Sequence, residues 1–239
     1  MGKNLARPGR FSMAKSVLMA IVVYHATVIP LSKWARDKIV RIARNFVWVE
    51  DEGEHAAKGK ALVSWTTLCR PKELGGLGMP NVLRTGRALR LRWPWLQWTD
   101  SDRTWVGSKL PCDEVDMALF RASTKITIGN GNSASFWHGN WSQFGPLKSW
   151  APELYTIASK KNRSMAKELS GGNWIRFVLR LNTPMQLAQY LKVCDVVEGL
   201  QLTQEYVDSI FWSLNEDGSY SARLEELNSL PGLQASFAR

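Results

Sequence analysis

Apolar positions recur at helical spacing over most of the first hundred residues. Val17, Ile21, Tyr24 and Val28, flanked by Leu18 and His25, predict a helix over about 11–28, closed by Pro30. The stripe reads as the buried face of that helix, and His25 as a satisfied core histidine rather than a ligand. Ser32 is an N-cap for a second helix over about 32–48, with Ala35, Ile39, Ile42, Phe46 and Val49 on one stripe. The two helices should form an αα-hairpin. Residues 50–60 are polar and glycine-containing and read as a loop. Residues 61–65 are a short apolar run, a candidate strand. Pro71 ends a short helix near Cys69, and a glycine-rich stretch follows at Gly75, Gly76 and Gly78. Asn81 is then a good N-cap for a third helix over 82–98, on which Leu89, Trp93 and Leu96 repeat and which Pro94 kinks or ends near Trp93.

Beyond residue 100 the elements shorten. Helical segments are expected at 104–110, 113–122, 146–149, 152–159, 164–169, 174–180 and 184–196. Asn130-Gly131 supplies a tight-turn signal between 125–128 and 133–137, and 215–218 supplies another between 211–214 and 219–222, so two β-hairpins are expected. The pattern stops after Arg223. The expected fold is mainly α: a basic helical bundle at 1–100, a small α+β region with short β-hairpins at 101–223, and a disordered tail at 224–239.

Charge sharpens this division. Residues 1–98 hold 17 Lys and Arg against 6 Asp and Glu, a balance of +11, whereas residues 99–239 hold 14 against 15, a balance of −1. A polyanionic partner would therefore meet the N-terminal part. Twelve Trp in 239 residues are spread along the chain, which favours core anchors over a single base-stacking platform. The apolar run at 17–29 is broken by His25 and Thr27 and is shorter than the roughly 20 residues a spanning helix needs, so no membrane partner is expected.

Catalytic chemistry is hard to find. Cys69, Cys112 and Cys194 lie far apart, as do His25, His55 and His138, so no zinc spacing exists and no metal or cofactor is expected. Sparse thiols suit a reducing compartment, nuclear or cytoplasmic. Asp51, Glu52 and Glu54 beside His55 read as solvent-facing loop residues. The glycine stretch lacks the spacing of a Walker loop, and tight packing is favoured over a phosphate cradle completed by Lys72.

Several motifs in order carry a resemblance. They are Arg7-Pro8-Gly9-Arg10, Lys15-Ser16-Val17-Leu18 with the run to Tyr24, and Arg44-Asn45-Phe46-Val47-Trp48. Val63-Ser64-Trp65, Cys69-Arg70-Pro71-Lys72 and Gly75-Gly76-Leu77-Gly78 follow. Downstream come Gly129-Asn130-Gly131, Ser135-Phe136-Trp137, Trp141, Pro146-Leu147, Pro152-Glu153-Leu154-Tyr155, Phe211-Trp212 and Gly218-Ser219-Tyr220-Ser221. The set, covering nearly all of residues 5–222, resembles plant non-LTR (LINE-type) retrotransposon reverse transcriptases. The resemblance implies a thumb-like helical region at 5–100, followed by the linker that leads to a zinc-binding domain. The chain departs from the family in lacking its Tyr-Ala-Asp-Asp catalytic motif, its Cys/His zinc cluster and its ribonuclease H region, and in placing Pro8 before Gly9.

A remnant without polymerase activity of its own is therefore expected. Thumb helices grip nucleic-acid backbone, so the residues expected to contact RNA or DNA phosphate are Arg10, Lys15, Lys33, Arg41, Arg44, Lys72, Arg84 and Arg87. A palm-bearing reverse transcriptase chain is the implied protein partner. The alternative is a non-functional, partly unstable fragment with exposed apolar surface.

Overall fold

The computed structural model describes residues 5–48, 61–178 and 181–222. Val49, the polar loop at 50–60, the end of the helix expected at 174–180 and the tail at 224–239 lie outside the described residues. The chain divides into two compact units. One holds the described residues up to Trp93 with Gly107–Asp116 and Ala222; the other holds Pro94–Val106 and Met117–Ser221. Both are mainly helical, and a single two-stranded sheet is present among the described residues.

In the first unit, α1 (Arg7–Met13), a π-helical segment (Ala14–Leu18) and α2 (Met19–Ala26) follow one another without a break. Pro8 sits in the first turn, where its missing N–H costs no helical bond. The buried face is not the expected stripe. Ala14, Met19 and Ala26 are buried, with Leu18 and Val22 packed beside them. Val17, Ile21, Tyr24 and Val28 are 44%, 55%, 74% and 53% exposed. The reason is close approach to α5 (Val82–Arg90). A Cβ on Gly86 would stand 2.9 Å from Ala26 Cβ, so only the small face of α2 can meet α5. Arg90 Nη1 donates to Ala26 O at 2.9 Å and Trp93 Nε1 to Thr27 O at 2.9 Å, fixing the end of α2. His25 is exposed rather than in the core, its Nδ1 2.8 Å from Ile21 O.

Helix α3 (Lys33–Trp48) forms where expected, but its expected stripe holds only in part, since Ile42 is 54% exposed. The Ala35 N–H donates to Ser32 Oγ at 3.3 Å, Ala43 and Val47 are buried, and Ile39 and Phe46 pack beside them. Residues 61–64 form no strand. Ser64 instead caps α4 (Trp65–Leu68), its Oγ accepting from Thr67 N–H at 3.1 Å. Asn81 Oδ1 accepts from Arg84 N–H at 3.2 Å and starts α5 as expected. The break in the third helix falls at Leu91, and Pro94 lies near the start of α6 (Arg92–Thr99), where proline is tolerated.

The second unit packs short helices around aromatic side chains. Residues 104–110 are turns rather than helix. The expected helices appear as α7 (Glu114–Ala122), α8 (Leu147–Trp150), α9 (Pro152–Ile157), α10 (Met165–Leu169), α11 (Asn173–Phe177) and α12 (Pro184–Glu198). Phe136 and Trp137 sit at the centre, with Leu147, Leu154, Met165, Trp174 and Val193 around them. The Phe136 ring meets Trp137 edge-on at 5.3 Å and lies 6.0 Å from Trp141 and 5.9 Å from Trp174.

Neither expected hairpin forms. Strand β1 (Thr124–Thr127) pairs antiparallel with β2 (Ser209–Trp212), in a register that sets Thr124 opposite Trp212 and Thr127 opposite Ser209. Residues 133–137 make no strand; Ser135 bridges to Ser164 and Phe136 N–H donates to Arg163 O at 3.1 Å. The turn at 215–218 does form, with Trp212 N–H donating to Gly218 O at 2.8 Å, but residues 219–222 add no strand.

Candidate nucleic-acid interface

Two glycine-rich loops could hold phosphate, and the fate of their N–H groups decides what each can do. In the loop at 75–79 every amide is spent internally. Gly75 N–H donates to Lys72 O (3.1 Å), Gly76 to Pro71 O (2.9 Å), Leu77 to Leu68 O (3.3 Å), Gly78 to Arg70 O (2.9 Å) and Met79 to Leu68 O (3.0 Å). Gly75 and Gly78 have positive φ, and a Cβ on Gly76 would lie 2.0 Å from Arg70 O. The glycines allow the chain to fold tightly back on α4. No amide in this segment is left to receive an anion, so the loop is packing and not a cradle.

The loop at 129–134 does cradle an anion, but the anion is part of the protein. Asp208 Oδ1 accepts from Gly129 and Gly131 N–H, and its Oδ2 accepts from Ser133 and Ala134 N–H, all at 2.8 Å. Gly131, at φ +72°, lets successive amides converge on one carboxylate. No feature of the local sequence signals this, because the acceptor lies 77 residues downstream of Gly131.

The eight cations expected to meet phosphate all belong to the first unit. Lys33, Arg41 and Arg44 are exposed on α3, and Lys72 is exposed beside the first glycine loop. At about 100° per residue the three α3 cations fall within roughly 80° of arc, with Asp37 between them. Three others are buried or half-buried. Arg10 is buried, its Nε donating to Leu5 O at 2.8 Å. Arg87 Nε lies 3.5 Å from the buried Asp116 Oδ1 and its Nη2 4.0 Å from Asp113 Oδ2. Arg84 is half-buried on α5. Sequence reasoning passed over Arg90, which forms the buried ion pair with Asp116.

Lys15 stands apart. Its ammonium is 3.5 Å from Leu77 O, and a Cβ on Gly78 would stand 3.3 Å from it. It borders an open cavity of about 450 Å³ that is also lined by Ser12, Ser16, Ala20, Val23, Pro80 and Thr85. Ser16 Oγ donates to Ser12 O at 2.6 Å. Thr85 Oγ1 is shielded from solvent and has no hydrogen-bond partner.

Among the described residues no three His, Cys, Asp or Glu converge as a metal site, and no helix is long and apolar enough to cross a membrane. The strongest titration shifts belong to packing. Burial pushes the Cys69 thiol up to about 11, against the Arg84 charge. Burial and then Asp116 push Cys112 up to about 12. Burial, followed by the charges of Arg121 and Lys148, pushes His138 down to about 4.

The chain is 31% identical, over 92% of its own length, to an Arabidopsis thaliana protein named "Putative ribonuclease H protein". It spans 38% of the length of that relative. No protein-family model matches the chain, and no solved structure matches it.

Proposed function

We propose that the chain is a segment of a plant retroelement protein that holds the backbone of RNA or DNA without sequence preference, through the exposed cations of its first unit. Likeness to a relative named for ribonuclease H, together with motifs resembling LINE-type reverse transcriptases, supports the retroelement origin. The observation that carries the binding reading is the α3 face: Lys33, Arg41 and Arg44 are exposed on a helix that Ala43 and Val47 anchor beside them and Ile39 and Phe46 on the opposite side. Cations on a rigid helix suit phosphate contact, which fixes position and carries no sequence information. Lys72 and Lys15 extend the set. Arg10, Arg84 and Arg87, buried or half-buried, stand outside this exposed set. Chemistry on the bound strand belongs in this reading to another part of the polyprotein or to a palm-bearing chain.

The test is a fluorescence-anisotropy titration against an RNA–DNA primer–template at several salt concentrations. Log affinity should fall linearly with log salt, and the combined variant Lys33→Gln, Arg41→Gln, Arg44→Gln should lower the slope by about 2–3. Unchanged affinity in that variant would refute the assignment, as would absence of binding at low salt by the folded chain.

A second reading rests on the exposed stripe of Val17, Ile21, Tyr24 and Val28. On this view the chain is a fragment with apolar surface that associates non-specifically and binds nothing in particular. Size-exclusion chromatography with circular dichroism separates the two: a monomer that melts cooperatively contradicts the fragment reading.

A further inference from the structure

We infer that Arg121, Lys148 and Lys161 form, around Tyr155, a site in the second unit for the backbone phosphate of a nucleic-acid strand. The inference takes the identity of the anion from the reading above and uses no residue of α3. Tyr155 is the hub. Its ring meets Trp137 edge-on at 5.5 Å and His138 at 5.6 Å, and its hydroxyl lies 3.4 Å from His138 Nε2. The Lys148 ammonium stands 5.2 Å from the ring centre and the Lys161 ammonium 4.9 Å. Arg121 is close enough for its charge to act on both Tyr155 and His138. Three cations distant in sequence thus gather about one side chain, although residues 99–239 carry a balance of −1.

These cations have no counter-charge. Arg87, Arg90 and Arg163 lie against Asp116 or Glu168, but among the described residues no carboxylate forms an ion pair with Arg121, Lys148 or Lys161. An aromatic face attracts an ammonium and restricts its position without cancelling its charge. Backbone contacts restrict it further: Lys148 N–H donates to Trp137 O at 3.0 Å, and Lys161 Nζ donates to Thr156 O at 3.3 Å. Like charges held together repel, and a bound anion relieves the repulsion. His138 feels this field. Burial first, then the charges of Arg121 and Lys148, hold its value down at about 4, so the imidazole is neutral at pH 7. Phosphate oxygens accept from ammonium and guanidinium donors alike. Lys148 is exposed and the other two are half-buried, so a phosphodiester with bulky groups on both sides can approach.

The primer–template titration, repeated on the full chain carrying Lys148→Gln with Lys161→Gln, tests the site. The salt slope should fall by about 1–2, and Lys148→Arg with Lys161→Arg should keep the parent slope. Lys148→Glu alone, at an exposed position, should weaken binding at low salt even if the double variant fails to fold. A second readout is the NMR titration of His138, one of three histidines in the chain. An anion beside Arg121 and Lys148 offsets their charges, so His138 should take up its proton at higher pH in the complex. An unchanged slope in the folded double variant, or a His138 titration unmoved by saturating primer–template, would overturn the inference. A His138 titration moved as far by inorganic phosphate would mark a free-anion site and overturn the assignment to a strand. The α3 triple variant separates the two readings. If it alone lowers the slope, the α3 grip stands and this site fails; if only the lysine pair lowers it, this site stands and the α3 grip fails.

Discussion

Arg90 and Asp116 meet as a two-pronged ion pair away from water: Nε to Oδ2 at 2.6 Å and Nη2 to Oδ1 at 3.1 Å, with the Asp116 side chain wholly inaccessible. Two further hydrogen bonds hold the pair in place. Asp116 accepts from Asp113 N–H at 3.1 Å, and Arg90 Nη1 reaches Ala26 O. One guanidinium thus joins the end of α2, the end of α5 and the start of α7. Removing one member leaves a buried charge without its partner. Asp116→Ala should cost about 3–5 kcal/mol, read as a lower urea midpoint, whereas a surface control such as Glu153→Ala should stay near the parent.

The Asp208 cradle makes a second prediction. An asparagine has one acceptor oxygen, and its NH₂ would face amides that are themselves donors. Asp208→Asn should therefore destabilise the protein by about 2–4 kcal/mol. Gly131→Ala should also destabilise it, since φ is positive and the new Cβ would lie 2.8 Å from Ala166 N. Hydrogen exchange at residues 129–134 should rise in both variants; protection equal to the parent would disprove the cradle.

His138 ties the stability of the second unit to pH. Its folded value is about 4 against 6.5 for the free group, so the unfolded chain takes up the proton first. The stabilisation is present in full above pH 6.5 and is lost as pH falls through that value towards 4. For a half-exposed ring, solvent screening limits the effect to about 1 kcal/mol. His138→Gln should flatten the stability profile between pH 6.5 and 4, and parallel profiles for variant and parent would exclude this role.

Cys69 and Cys112 should be poor nucleophiles, because thiols held up at about 11 and about 12 carry little thiolate at pH 8. Iodoacetamide labelling followed by mass spectrometry should modify both at least about tenfold more slowly in the folded protein than in urea. Fast labelling of Cys112 in the folded state would contradict its place beside Asp116.

Local signals in the sequence were legible where the structure is local. Ser32 and Asn81 start the helices they were expected to start, and the stretch at Gly75–Gly78 is a tight turn. The face of α2 was misread for a physical reason. Both of its sides are apolar, so periodicity cannot choose between the Val17–Ile21–Tyr24–Val28 stripe and the side bearing Ala14, Leu18, Val22 and Ala26. The choice is made by size, through Gly86 of α5, which is distant in sequence. The hairpins failed likewise: the chain bends at Asn130-Gly131, but Asp208 takes the amides of Gly129 and Gly131, and β2 takes the place of the expected partner strand. The basic face was visible as charge. Which cations were free to face outward was not, because Leu5 O and Asp116 had to be placed before Arg10 and Arg87 could be understood.

The pairing of β1 with β2 has a consequence during synthesis. Strand β1 leaves the ribosome with its partner still some 80 residues behind, and at about 5–20 residues per second that interval lasts roughly 4–16 s. Throughout it the edge of Thr124–Thr127 and the open amides of Gly129 and Gly131 await Ser209–Trp212 and Asp208. The second unit must therefore close from its far end, and a nascent chain stalled before Asp208 would present an unpaired strand and an empty ring of donors to any neighbouring polypeptide.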